Sequence, residues 1–152
     1  HIGTFFTVYA VVLAATRPAA GILADRKGFD IVVIPGIIMV AAAMLILSRA
    51  QFLWVFLIAG AVYGIGFGSV LPSLQALVVK FVPPNRRGAV NGTFYSAFDL
   101  GIGAGAILWG CVSKAFGYSQ MYLIAAVPAA IALPIYILFK NTGRKGSVAF
   151  GE

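Results

Sequence analysis

The sequence predicts an all-α membrane protein of five spanning helices, and three observations carry that prediction. The 152-residue chain is 61% hydrophobic and only 10% charged, whereas an ordinary soluble domain carries roughly 25% charged residues. Its charges are also clustered. Residues 31–48, 50–79 and 115–139 hold no Asp, Glu, Lys or Arg, and 88–113 hold only Asp99. At about 1.5 Å of rise per helical residue, each run is long enough to cross a hydrocarbon core of about 30 Å. Third, the basic residues are one-sided when alternate loops share a side. Arg17, Arg26, Lys27, Lys80, Arg86, Arg87, Lys140, Arg144 and Lys145 fall together, against Arg49 and Lys114 opposite. That bias marks the first side as cytoplasmic. It also accounts for the net charge of +7 with no nucleic-acid partner.

The first helix is predicted over 2–24, where an apolar run continues through Arg17 to Ala24 before a charged loop at 25–30. The second covers 31–47, with Pro35-Gly36 near its inner end; spanning helices tolerate such residues because neighbours satisfy the freed backbone groups. Ser48-Arg49-Ala50-Gln51 forms an outer turn. The third helix, 52–81, repeats Gly60, Gly64 and Gly68 at every fourth position and ends beyond Pro72. Small residues on one face let a neighbouring helix approach closely. Pro83, Pro84 and Gly88 cannot continue it, so 82–88 is the second inner loop. The fourth helix spans 89–112, the outer turn 113–119 contains Gly117, and the fifth helix spans 120–139 with Pro128 and Pro134. Trp54 and Tyr118 flank outer ends as interfacial aromatics. Residues 1–140 thus form one transmembrane bundle, and 141–152 are expected to be a disordered polar tail on the cytoplasmic side.

Few side chains in this chain carry chemistry. Cys111 is the lone cysteine and His1 the lone histidine, so no disulfide or cysteine metal cluster is expected. Neither H-E-x-x-H nor G-x-S-x-G occurs, which argues against an enzyme. Arg17, Gly21 and Asp25 are spaced by four and share one helix face at the membrane exit. Gly21 leaves room for the guanidinium and the carboxylate to pair across it. Leu23 and Ala24 are expected to bury the last turn, and Gly28 to supply a positive φ. Asp99 lies about 15 Å along the fourth helix from Ala89, near the bilayer midplane. A carboxylate there is costly and marks a functional position by default. Asn91, Tyr95, Asp99 and Gly103 share its face as cavity candidates, while Ala97, Gly101 and Gly105 form a packing face. Two roles stay open for Asp99: proton coupling, or a structural carboxylate hydrogen-bonded to its neighbours. Tyr63, Ser69, Ser73, Gln75 and Tyr95 read first as interhelical hydrogen-bonding groups.

The octapeptide Gly21-Ile22-Leu23-Ala24-Asp25-Arg26-Lys27-Gly28 resembles the cytoplasmic signature loop of the major facilitator superfamily, G-x-L-A-D-R-x-G. The chain departs from the fuller motif after Gly28, placing Phe29 and Asp30 where basic residues often follow. Pro72, Pro83, Pro84, Arg86, Arg87, Gly88, Asn91 and Gly92, followed by Asp99, Gly101 and Gly105, resemble helices ten and eleven of such transporters. The resemblance spans nearly all of 1–140 as helices eight to twelve of twelve, most of the C-terminal half. His1 is not a methionine and opens inside an apolar run, so an N-terminal half is expected upstream.

The resemblance implies a multi-pass protein of the cell membrane with a cytoplasmic C-terminus. It implies secondary active transport of small solutes by alternating access, drug–proton antiporter-like, with proton-coupled efflux and no cofactor. Its partners would be a small-molecule substrate with protons, the lipid bilayer and the missing N-terminal half. The resemblance makes Arg17, Gly21, Asp25, Arg26 and Gly28 the gating loop, Asp25 facing a helix N-terminus in the other half, where the dipole favours a carboxylate. Arg86, Arg87 and Gly88 form the matching inner loop. Gly101 and Gly105 also resemble the antiporter motif G-x-x-x-G-P, with Ala106 in place of the proline. The alternative is a small accessory or scaffolding membrane protein.

Overall fold

The computed structural model describes residues 2–80 and 82–149. Their architecture is helical throughout: α1 (Ile2–Lys27), α2 (Asp30–Ser48), α3 (Leu53–Lys80), a 3-10 turn (Pro84–Arg86) and α4 (Arg87–Ala149). All four α-helices are long and apolar enough to cross a membrane.

Three boundaries differ from the sequence reading, each for a local reason. Helix α1 runs through Asp25 and Arg26 to Lys27, so these residues form its last turn and not a loop. Gly28 then adopts φ 97° and its N–H bonds the Ala24 carbonyl at 2.9 Å, a left-handed closure open to glycine. Next, the outer turn expected at 113–119 contracts to one non-helical residue, Gly117, at φ 80° and ψ 166°. The fourth and fifth predicted helices are therefore two arms of α4, 87–116 and 118–149. Finally, the polar tail continues the second arm to Ala149; no proline or left-handed glycine interrupts it there. The predicted ends at His1, Phe81 and 150–152 lie outside the described residues. In the second inner loop, extended Pro83 (φ −60°, ψ 149°) precedes the 3-10 turn, and α4 starts at Arg87.

Helix α3 is the centre of the bundle. It lies parallel to α1: the Phe5 and Phe56 rings are 4.5 Å apart and those of Tyr9 and Tyr63 5.5 Å apart. The predicted glycine face lies at this contact. A Cβ on Gly64 would stand 3.0 Å from the Tyr9 carbonyl oxygen, and one on Gly68 3.2 Å from that of Leu13. Helix α2 crosses the other side antiparallel, with Gly66 against Gly36 and Val40. Val33, Ala43 and Ala59, all with no exposed surface, mark the core.

The second arm of α4 runs antiparallel to α2 and is fastened at both ends. Near the start of that arm the Ser119 hydroxyl donates to the Ser48 carbonyl; toward its other end Tyr136 and Lys140 reach Asp30. The first arm is less covered. It meets α3 at Phe98, whose ring is 6.1 Å from that of Phe67, and at Gln75. No atom lies within 4 Å of a Cβ built on Gly101, and one on Gly105 meets only Trp109 of the same arm. The expected packing face therefore finds no partner helix among the described residues.

Candidate functional site

The inner end of α1 divides into two faces. Ala20 and Ala24 are buried at 5% and 3% exposure against Val32, with Phe29 packed alongside. Arg17, Asp25 and Arg26 are exposed, and nothing lies within 4 Å of a Cβ built on Gly21. Among the described residues no ion pair joins Arg17 to Asp25, so the expected contact across Gly21 is not made. Nor is Leu23 part of the buried turn: it is 38% exposed, because the helix turns Ala20 and Ala24 toward α2 instead. The signature residues thus form an open, charged stripe. In the other inner loop Arg86 and Arg87 are both exposed, the Arg87 Nε donates to the Val82 carbonyl at 3.3 Å, and Gly88 has open space around it.

A second group of polar residues lies between the C-terminal part of α3 and the start of the first arm of α4. The Tyr95 hydroxyl donates to Gln75 Oε1 at 2.8 Å, and Gln75 Nε2 donates to Asn91 Oδ1 at 3.4 Å. The geometry follows from helix direction: side chains lean toward the helix N-terminus, so Tyr95 leans back over Asn91 and one glutamine amide serves both. The reading of Gln75 and Tyr95 as interhelical hydrogen-bonding groups matches this arrangement. The other polar groups differ. Ser69 donates to its own helix at Ile65, and Ser73 is buried at 3% exposure with no hydrogen-bond partner among the described residues.

Asp99 follows Phe98 on the first arm, about 18 Å along the helix from Arg87. It is exposed and makes no hydrogen bond or ion pair among the described residues. It stands one turn beyond Tyr95 on the same face, so Asn91, Tyr95 and Asp99 form a polar line from the start of that arm toward its middle. Beside that line run the rings of Tyr9, Tyr63, Phe67 and Phe98, each 5.5 to 6.1 Å from the next.

The sequence reading did not single out Asp30 as a site. Its Oδ1 accepts the Tyr136 hydroxyl at 2.9 Å and its Oδ2 lies 2.6 Å from Lys140 Nζ, while Lys80 Nζ sits 5.5 Å from the centre of the neighbouring Phe29 ring. A signal was available. The chain has only four acidic residues, and one of them stands at an inner end crowded with lysine and arginine. Asp30 also opens α2, where the helix dipole favours a carboxylate.

Comparison with known proteins bears on the whole chain. The family model described as Major Facilitator Superfamily matches residues 1–152. The multidrug resistance protein MdtG of Dickeya zeae (strain Ech586) is 30% identical over 137 residues, covering 90% of this chain and 33% of that protein. An uncharacterised MFS-type transporter of Burkholderia mallei (strain SAVP1) is 32% identical over 140 residues, covering 91% of this chain and 34% of its own length. A transporter of Burkholderia pseudomallei (strain K96243), also uncharacterised, gives the same figures. The chain spans about a third of the length of these relatives. With its helical membrane architecture and its signature stripe, the chain belongs to the major facilitator superfamily.

Proposed function

We propose that this chain is the C-terminal part, helices eight to twelve, of a secondary active transporter that exports small solutes in exchange for protons. The observation that carries the reading is Asp99: an exposed carboxylate near mid-span that makes no hydrogen bond or ion pair among the described residues. In a membrane such a group faces a polar path or cavity, or it is not tolerated. The inner hydrogen-bond group of Gln75, Asn91 and Tyr95 leads toward it, and the aromatic run offers an apolar wall at the same level. The relative named as a multidrug resistance protein is in keeping with efflux.

Alternating access then requires the missing N-terminal half, with binding near the midplane between the two halves. The stripe of Arg17, Gly21, Asp25 and Arg26 supplies this chain's side of the inner gate. Its exposure fits a contact that another part of the protein completes, Asp25 meeting a helix N-terminus there. The protein lies in the cell membrane with its C-terminus in the cytoplasm. The test is transport by the full-length protein in inverted vesicles under an imposed pH gradient, screened over apolar organic cations and neutral drugs. Accumulation that collapses with the gradient is expected. Accumulation indifferent to the gradient would remove proton coupling from the account.

A further inference from the structure

The connection between α1 and α2 carries a carboxylate at each end, and the two are treated differently. Asp25, on the α1 side, is exposed. Asp30, on the α2 side, has both oxygens held by the second arm of α4, through Tyr136 at 2.9 Å and Lys140 at 2.6 Å. Between them Phe29 packs on Ala20, Ala24 and Val32, and Lys80 of α3 lies over its ring at 5.5 Å. Only Gly28 and Phe29 separate the two helices, and Gly28 is tied to Ala24 by a 2.9 Å hydrogen bond, so the connection has little slack. Helices α1 and α2 meet each other far less than either meets α3. The presentation of Asp25 therefore depends on Phe29 and Asp30 as well as on the packing of α1 along α3.

We propose that Tyr136 and Lys140 are positioning residues for the signature stripe. By holding Asp30 they fix the α1–α2 connection, so the inner end of the last helix determines how Asp25 is presented to the other half. The inference rests on the gating reading of Asp25 given above. Where the family motif often carries basic residues, this chain carries an acid that its own last helix grips. Movement of that helix is then passed to the gate across one ion pair and one hydrogen bond.

The experiment uses the full-length protein with Cys111 and any other cysteine replaced by serine. A reporter cysteine is placed at Gly103, one turn beyond Asp99, where a Cβ meets nothing within 4 Å in this chain. A membrane-impermeant maleimide added outside right-side-out vesicles then reads the outward-facing population. Asp25→Asn, which weakens the inner gate, lowers labelling. Lys140→Met and Tyr136→Phe lower it in the same direction, roughly two- to fivefold each, the range open to a half-exposed ion pair or one hydrogen bond. Lys140→Arg restores it. Asp25→Asn combined with Lys140→Met labels no more slowly than Asp25→Asn alone; a role confined to general stability would not give that non-additivity. Tyr136→Phe removes a single hydroxyl and keeps the test usable should Lys140→Met fail to fold. If Asp25→Asn lowers labelling while both α4 variants match wild type, or if the effects add, the positioning role is wrong and the gate stands. If Asp25→Asn itself has no effect, the gating reading fails and the inference falls with it.

Discussion

Replacing Gly66 by alanine should destabilise the protein more than the same change at Gly60, although both positions are crowded. A Cβ on Gly66 would lie 2.7 Å from the Gly36 carbonyl oxygen and 3.0 Å from the Val40 amide nitrogen. Normal carbon–oxygen contact is about 3.3 Å, within the range of ordinary packing, so α2 and α3 must separate by about half an ångström. The Val40 Cγ2 methyl also stands at 3.0 Å, but the other two obstacles are backbone, so side-chain rotation alone does not relieve them. Overpacking of this kind costs about 1–3 kcal/mol. At Gly60 the new carbon would stand 2.8 Å from the Phe5 ring, which can swing aside near the start of α1. Gly64 falls between, with the Tyr9 carbonyl oxygen at 3.0 Å. Alanine's helix preference, up to about 1 kcal/mol over glycine, applies to all three sites and cancels from the comparison. Unfolding of the full-length protein in detergent, followed by tryptophan fluorescence, should give losses in the order Gly66→Ala, Gly64→Ala, Gly60→Ala. Equal losses, or a larger one at Gly60, would refute the packing described for the α2–α3 contact.

Other consequences are open to measurement. Gln75→Leu and Tyr95→Phe should each cost about 0.6–1 kcal/mol, the scale of hydrogen bonds between membrane helices. Their double variant should lose no more than the worse single, read from the same unfolding assay. Gly117→Ala forces φ 80° and ψ 166°, a conformation essentially restricted to glycine, onto a residue with a Cβ, at about 1–3 kcal/mol, and should lower the melting temperature. Gly3→Ala, with open space and a helical backbone, should not. Ser119→Ala removes the hydroxyl that meets Ser48 and should cost about 1 kcal/mol. That loss should add to the loss from Asp30→Asn, because the two fastenings lie at opposite ends of α2, about 27 Å apart.

Much of this molecule was legible in the order of its residues. Long apolar runs with few or no charges located the spanning segments, because ionised side chains are costly inside a membrane. The glycine repeat at 60, 64 and 68 named the face that α1 occupies, because only small residues admit that approach. Local closures were harder. Gly117 alone reverses the chain, whereas the polar residues around it suggested a longer turn. Asp25 and Arg26 read as loop because they are charged, yet they complete α1, since the helix ends only where Gly28 offers φ 97°. The Asp30 contacts join residues separated by 106 and 110 positions, and no local pattern announces a partner at that distance. Spacing also suggested an Arg17–Asp25 pair; the two side chains stay apart, which leaves both open to another part of the protein.

The central claim is that Asp99 couples proton movement to transport, and counterflow separates coupling from binding. In vesicles containing the full-length protein, Asp99→Asn should abolish accumulation driven by a pH gradient while exchange of labelled for unlabelled substrate persists. Gradient-driven accumulation at the wild-type level in Asp99→Asn would contradict the account and leave Asp99 as a structural carboxylate.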